Sequence, residues 1–514
     1  MDLSASHESR KPHPGEKNML LVYAKTLFLQ GGVAATVLVS SWLISLYINP
    51  AVFGQYSLYL SVVSACGMLF INWPNAALLR FGREEWNSEK RIGETLAASF
   101  FLYFMGTIVA IGLAWRLDSL AARFLDLHDS PFFWIALGVI LLPLTQIGVY
   151  ANQATGQVLP YSYAPFLNRS TFLSGIVLVP LLEFTAEWNY LVMWGLAGTS
   201  LASIVNFWLL PRCAWHGFRF KSARLKQILR YSWAIPLGAV AAYTVNWVDA
   251  WVIRGFMDST AVGLYTWAYQ VTMIGNMAFA PLGVIMAPAL LDARLAGDIA
   301  RLGLHGHHSL RLMITAGIVG LVILTAVYPI LSIVVGSNYL TTYPVVLILL
   351  SAIPFQLLGY LMNPIGSAFE HLVSRAVLIS VGVAVLNVLG DVLLVPQVGI
   401  MGAAIATLIV FSLSALLTVI LLIHYIHGLR FPSLLSFGVS GLLMPAGSIC
   451  LLTTGPLLGA GLCIALSVSI LLAIRRMGVF SPDDVKWLEV QPITETIKKP
   501  LVSAAIWLSR HKVI

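Results

Sequence analysis

Charge is scarce in this chain of 514 residues: Asp, Glu, Lys and Arg together make up only 10%, against about 25% in a soluble domain. So few charged groups cannot clothe a water-facing surface of this size, which excludes a soluble globular protein. Cysteine is scarcer still. Cys66, Cys213, Cys450 and Cys463 are scattered with no close pair, which signals neither a disulfide framework nor a zinc site. No Walker A sequence, GxSxG elbow or HExxH pair is present, so energy from bound ATP has no receptor and the chain reads as a non-enzyme without a cofactor or a metal centre. His305-Gly306-His307-His308 lacks nearby carboxylate or cysteine partners and reads as a solvated loop. The period-two alternation of a membrane barrel is also missing, since stretches such as 438–452 and 457–474 are apolar on every face.

What is present is apolar length. Hydrophobic residues make up 58% of the chain and the mean hydropathy is +0.85. Apolar runs of about twenty residues, the length needed to cross a hydrocarbon core about 30 Å thick, recur almost throughout. They predict an all-α, polytopic membrane protein of about fourteen transmembrane helices, at 20–48, 57–79, 95–115, 132–153, 165–184, 190–211, 231–253, 262–290, 310–335, 343–366, 375–396, 400–426, 434–453 and 457–475. The polar first twenty residues followed by a long apolar run predict a first span that is its own insertion signal. The net charge of +8 then reports topology rather than nucleic-acid binding, because cytoplasmic loops retain Lys and Arg. With the N-terminus inside, the inner segments hold Arg10, Lys11 and Lys17, then Arg80, Arg83, Lys90 and Arg91, then a run from Arg212 to Arg230, then Arg294, Arg301 and Arg311, and the basic tail. The outer loops offer only Arg116, Arg123 and Arg254. That alternation predicts cytoplasmic N- and C-termini and an even number of spans.

An internal repeat organises the spans. Phe53-Gly54-Gln55-Tyr56 is echoed by Val262-Gly263-Leu264-Tyr265, 209 residues later, and Trp42 and Trp251 keep the same offset. Gln146 to Tyr150 is echoed by Gln356 to Tyr360, and Val177 to Pro180 by Leu393 to Pro396. Both copies start on the inside, so the repeat is parallel, an arrangement suited to rocking of two bundles about a midplane cavity. The expected organisation is a cytoplasmic N-tail (1–19), an N-terminal six-helix lobe (20–211), a basic cytoplasmic linker (212–230), a C-terminal six-helix lobe (231–426), two extra helices (434–475) and a cytoplasmic tail (476–514).

Polar groups inside the apolar runs are candidate functional residues, since a charge at mid-bilayer costs about 2.5–3.5 kcal/mol on insertion scales. Asp249, near the outer part of the seventh span, reads either as an ion-responsive carboxylate or as a structural acid paired with Arg254. Asp391 follows Asn387 by one helical turn on one face of the eleventh span, open to an ion-coupling role or to hydrogen bonding between helices. Lys25 and Arg169, both placed near inner ends of spans, read as cavity cations or as side chains snorkelling to the interface. Asn72, Gln146, Asn152, Gln356, Asn363 and Asn387 provide amides that donate and accept hydrogen bonds, as a hydroxyl-rich ligand requires; bonding between helices is the competing reading.

The segments Phe53 to Tyr56, Asn75 to Gly82, Tyr231 to Pro236, Gly336 to Tyr339, Asn387 to Pro396 and Gly399 to Thr407 resemble a polysaccharide transporter of the MOP (multidrug/oligosaccharidyl-lipid/polysaccharide) exporter superfamily. The resemblance implies the MOP flippase fold and a Wzx-like O-antigen or exopolysaccharide flippase in the bacterial cytoplasmic (inner) membrane, acting in lipopolysaccharide or exopolysaccharide biosynthesis. It implies a lipid-linked (undecaprenyl-pyrophosphate) oligosaccharide as cargo and the lipid bilayer, a polysaccharide polymerase and chain-length proteins as partners. It also implies a cationic central cavity and coupling to a proton or sodium gradient. One departure stands out: Ala250 follows Asp249 where family members often carry a basic residue. Two alternatives remain at this point, a cation-coupled multidrug extruder of the same superfamily and an integral-membrane glycan polymerase or ligase. Intramembrane acids are few, against the first, and the longest outer loop, about 116–131, is short for the second.

Overall fold

A chain that buries its backbone in hydrocarbon must satisfy every N–H and C=O internally, and long apolar stretches without alternation can do so only as helices. The computed structural model describes residues 14–127, 129–157, 159–232, 235–274, 297–367, 369–425 and 434–477, with isolated positions beyond. Its chain clusters into two units, Met1–Tyr243 and Thr244–Ile514. The first holds α1 (Pro14–Tyr47), α2 (Pro50–Cys66), α3 (Asn75–Glu89), α4 (Gly93–Arg116), α5 (Asp118–Leu125), α6 (Phe132–Ala154), α7 (Pro160–Leu181), α8 (Trp188–Leu209), α9 (Ser222–Ser232) and the first turns of α10 (Ile235–Phe256). The second continues with α11 (259–274), then α12 (Ile299–Val334), α13 (Tyr343–Ser367), α14 (Glu370–Val398), α15 (Ile400–Tyr425), α16 (Leu434–Thr454) and α17 (Pro456–Met477). Among the described residues there is no strand.

Among the described residues eleven stretches are long and apolar enough to cross a membrane, and each coincides with one of the fourteen expected spans. The remaining three expectations fall on α10, α11 and α16, which run into residues outside the described set. The outer faces confirm the solvent: Trp208 is 80% exposed and Leu393 63%, tolerable where the neighbour is lipid and costly in water. The chain is a multi-pass membrane protein.

In the first unit α7 lies along both α1 and α8, and α6 packs on α3, α4 and α8. The basic linker belongs to this unit. Lys221 pairs with Glu94 at the head of α4, and further on the Tyr243 hydroxyl donates to the Ser61 carbonyl at 3.0 Å. Buried Glu85 accepts from the backbone N–H groups of Glu94 and Thr95, both at 3.1 Å, placing a carboxylate at the positive end of α4, where the helix dipole favours it.

In the second unit α15 packs along α13 and α14, while α16 and α17 close over α12 through Leu321, Leu324, Leu443, Met444 and Leu451. The turn between α14 and α15 explains the Gly399-to-Gly402 segment. Gly399 sits at φ +63°, ψ −145°, a region essentially reserved for glycine. A Cβ on Gly402 would lie 2.5 Å from the carbonyl carbon and oxygen of Leu394. Backbone cannot rotate aside as a side chain can, so Gly402→Ala is expected to part α14 from α15 at about 1–3 kcal/mol, the usual range for overpacking. A clear fall in the thermal transition of the purified protein checks this; an unchanged transition contradicts it.

Candidate functional site

Along α14 the outward side chains Leu386, Leu389 and Leu393 are exposed, while Asn387 and Asp391 are fully buried. An apolar helix thus carries one polar stripe, its two members four residues apart on one face. α10 brings Asp249, α11 brings Tyr265 and α15 brings Thr407 to the same place, all three at most 3% exposed. Small residues at Ala403, Ala404 and Ala406 let α15 approach α14 closely.

Asp249 is the hub. Its Oδ1 accepts from Asn387 Nδ2 at 2.7 Å, and its Oδ2 accepts from Thr407 Oγ1 at 2.9 Å and from the Tyr265 hydroxyl. The same Asn387 Nδ2 reaches Asp391 Oδ2 at 3.5 Å. Two buried carboxylates therefore share one amide nitrogen, and among the described residues no Lys or Arg forms an ion pair with either. Arg254 donates instead to the Met257 carbonyl. Two ionised carboxylates at such spacing repel by on the order of 3 kcal/mol even at an effective dielectric of about 20. The far oxygens sharpen the point: Asn387 Oδ1 and Asp391 Oδ1 are both buried and neither has a hydrogen-bond partner, a deficit of about 1–3 kcal/mol each. Thr407 carries a single hydroxyl proton but faces two acceptors, Asp249 and the Ala403 carbonyl. Among the described residues, this cluster has more oxygen acceptors than hydroxyl and amide protons to satisfy them.

The first unit contains a second feature, a cavity of about 390 Å³ whose wall includes Ser64, Asn72, Trp73, Asn75, Gln146 and Tyr150. Two of the six candidate amides, Asn72 and Gln146, thus line one space. Asn387 belongs to the acidic cluster. Asn152 is buried between helices, its amide donating to the carbonyls of Gly148 and Asn206, each at 2.8 Å. Gln356 is buried in α13, and the side chain of Asn363 lies outside the described residues.

The two candidate cations separate. Lys25 is exposed, one turn ahead of the apolar stretch Phe28–Tyr47. Arg169 lies on α7, which begins at Pro160. Pro160 occupies the first helical position, where proline is at home, and Pro165 lies inside the helix. At 1.5 Å per residue Arg169 sits about 13 Å into the helix, half-buried and within electrostatic reach of Tyr56, whose ring stacks on Phe172 at 5.3 Å. No carboxylate pairs with it among the described residues.

Reading polar residues within spans overlooked Tyr265, Thr407, Trp73 and Tyr150. Tyr265 and Thr407 lay inside segments already singled out, one in the repeat and one closing the Gly399-to-Thr407 stretch. Their signal was a hydroxyl in a segment otherwise apolar. Tyr150 likewise closed a repeated segment, Gln146 to Tyr150, whereas Trp73 carried no signal, since aromatic residues are ordinary near membrane interfaces.

A family model described as polysaccharide biosynthesis protein matches residues 26–293. The probable low-salt glycan biosynthesis flippase Agl15 of Haloferax volcanii is 24% identical over 293 residues, covering 55% of this chain and 59% of that relative; the match thus spans less than two thirds of its length. Among solved structures, the lipid II flippase MurJ in an inward closed conformation superposes with a TM-score of 0.62 at 13% identity, covering 88% of this chain and 97% of that one. An inward-facing multidrug resistance MATE family transporter of the MOP superfamily gives 0.56 at 14% identity, covering 79% and 94%. At such identities the likeness shows the fold alone, an all-helical fold shared with these transporters.

Proposed function

This chain belongs to the polysaccharide biosynthesis protein family, and from that premise we propose that it is a flippase for a lipid-linked oligosaccharide, driven by a cation that binds at Asp249 and Asp391. The relative Agl15 carries the name of a glycan biosynthesis flippase, and the MurJ structure that of a lipid II flippase; both support a cargo in which a glycan rides on a lipid. The proposed cargo is an oligosaccharide on undecaprenyl pyrophosphate, moved from the cytoplasmic to the periplasmic leaflet by alternating access, for O-antigen or exopolysaccharide biosynthesis. The lipid tail stays in the bilayer while the polar head crosses through a hydrated route. Arg169 offsets the pyrophosphate charge, a guanidinium being suited to paired hydrogen bonds with phosphate oxygens.

The observation that carries the coupling is the surplus of buried acceptors around Asn387. A proton shared between the carboxylates would relieve their repulsion but leave Asn387 Oδ1 bare. A small hard cation takes carboxylate, amide and hydroxyl oxygens alike, so sodium fits the cluster better than a proton.

Deleting the gene in its host, with neighbouring genes intact, is expected to leave lipid-linked repeat units on the cytoplasmic face of the membrane. Unimpaired translocation in the deletion strain contradicts the flippase reading. Loss of drug resistance without a change in glycan export would favour the multidrug extruder.

A further inference from the structure

The cavity of the first unit has a local cause. After α2 the helix widens into a π-helical turn, Gly67–Ile71, closed by the Asn72 N–H donating to the Gly67 carbonyl at 2.7 Å. One residue more per turn advances the register, and such turns are frequent at functional sites. Asn72 and Trp73 then fall on the cavity wall, facing Gln146 and Tyr150 from α6. Gly67 leaves room for the Asn72 amide, whose Nδ2 lies 3.2 Å from where a Cβ would be. The Asn72 Oδ1 is buried with no hydrogen-bond partner. The opposite side of the turn is held by Gly106 of α4, where a Cβ would lie 2.2 Å from the Phe70 carbonyl oxygen.

Among the described residues, no charged side chain lines this cavity. A phosphate would find no cation there and a cationic drug no carboxylate. The wall pairs aromatic rings with amides, and the volume of about 390 Å³ lies within the roughly 300–1,000 Å³ of small-molecule sites. A pyranose matches that wall: its C–H face packs on indole or phenol, and its hydroxyls both donate to and accept from amides.

We infer that the Asn72–Trp73–Gln146–Tyr150 cavity is a subsite for a neutral sugar ring, set apart from the place where the cargo's charged pyrophosphate is held. As a subsite for cargo it rests on the flippase reading. It makes the first unit a reader of sugar identity and assigns Trp73 as the stacking platform.

The test uses the full chain in nanodiscs, with Cys66, Cys213, Cys450 and Cys463 replaced by serine and Ala239, on the cavity wall, replaced by cysteine as a reporter. The rate of labelling by a soluble maleimide is followed with four probes: methyl glucoside, methyl N-acetylglucosaminide, glucuronate and inorganic pyrophosphate. At least one neutral glycoside is expected to slow labelling, while glucuronate and pyrophosphate leave it unchanged. Trp73→Ala is expected to raise the half-protecting concentration by about tenfold, equivalent to one modest contact, and Trp73→Phe to retain most of the protection. Absence of protection by both glycosides, or equal protection by pyrophosphate, overturns the inference. So does glycoside protection that Trp73→Ala leaves intact. Translocation by the reconstituted protein separates the two readings. If the parent moves lipid-linked glycan and Trp73→Ala moves it equally fast, the subsite falls and the flippase stands. If glycosides protect but the parent moves no lipid-linked glycan, the flippase reading falls and sugar binding stands.

Discussion

Asp249→Asn is expected to abolish cation-driven translocation while leaving the protein folded. The substitution keeps the shape of the side chain and one acceptor oxygen for Tyr265 or Thr407, so packing survives. It removes the charge at the hub of the cluster and turns two donors toward one another, since Asn387 Nδ2 faces Asp249 Oδ1. Breaking a buried charge interaction from one side typically costs about 3–5 kcal/mol, so cation affinity is expected to fall by more than about a hundredfold. Stability separates this account from simple damage. In the parent, two carboxylates repel until a cation binds, so its melting temperature rises with sodium concentration by mass action. In Asp249→Asn the repulsion is gone without any ligand. The variant is therefore expected to melt at or above the parent in sodium-free buffer and to show no sodium-dependent rise. Thermal denaturation across a sodium series, with choline as the balancing cation, checks both statements. A variant that melts lower and still responds to sodium contradicts them.

Arg169→Ala is expected to abolish export with the folded yield unchanged. The guanidinium is half-buried about 13 Å into α7, and among the described residues no carboxylate pairs with it. A charge held at that depth without an ion-pair partner costs stability rather than supplying it. Removing it should leave the fold intact and take away only what the charge does for an anionic cargo. Arg169→Lys keeps the charge but loses the planar fork that grips two phosphate oxygens, so partial export is expected. Glycan at the cell surface, normalised to the amount of protein in the membrane, reads the series. Full export by a well-expressed Arg169→Ala variant removes Arg169 from the mechanism.

Much of the fold was legible because hydrocarbon imposes simple rules. Apolar length gave helices, and the Phe53-to-Tyr56 echo at Val262-to-Tyr265 marked a repeat without marking the tyrosine that bonds Asp249. The acidic cluster was half legible. A carboxylate in an apolar run is conspicuous, so Asp249 and Asp391 stood out, and the four-residue spacing placed Asn387 beside Asp391. That α10 would bring Asp249 against α14 depends on helix packing across 138 residues of sequence, which periodicity does not encode. Amides were the least legible. Asn152 and Asn72 look alike in sequence, yet Asn152 spends its amide on two backbone carbonyls while Asn72 lies in a π turn against a cavity. Nothing in the run Gly67-Met68-Leu69-Phe70-Ile71 announces that turn, which packs against Gly106 on another helix.

The most direct test places the purified chain in proteoliposomes with an undecaprenyl-pyrophosphate oligosaccharide in the bilayer and follows its appearance at the opposite leaflet with a membrane-impermeant glycan-cleaving enzyme. Translocation that requires the protein, quickens under a sodium gradient and is lost in Asp249→Asn is the predicted result. A rate no faster than in protein-free liposomes, with or without the gradient, contradicts the flippase account.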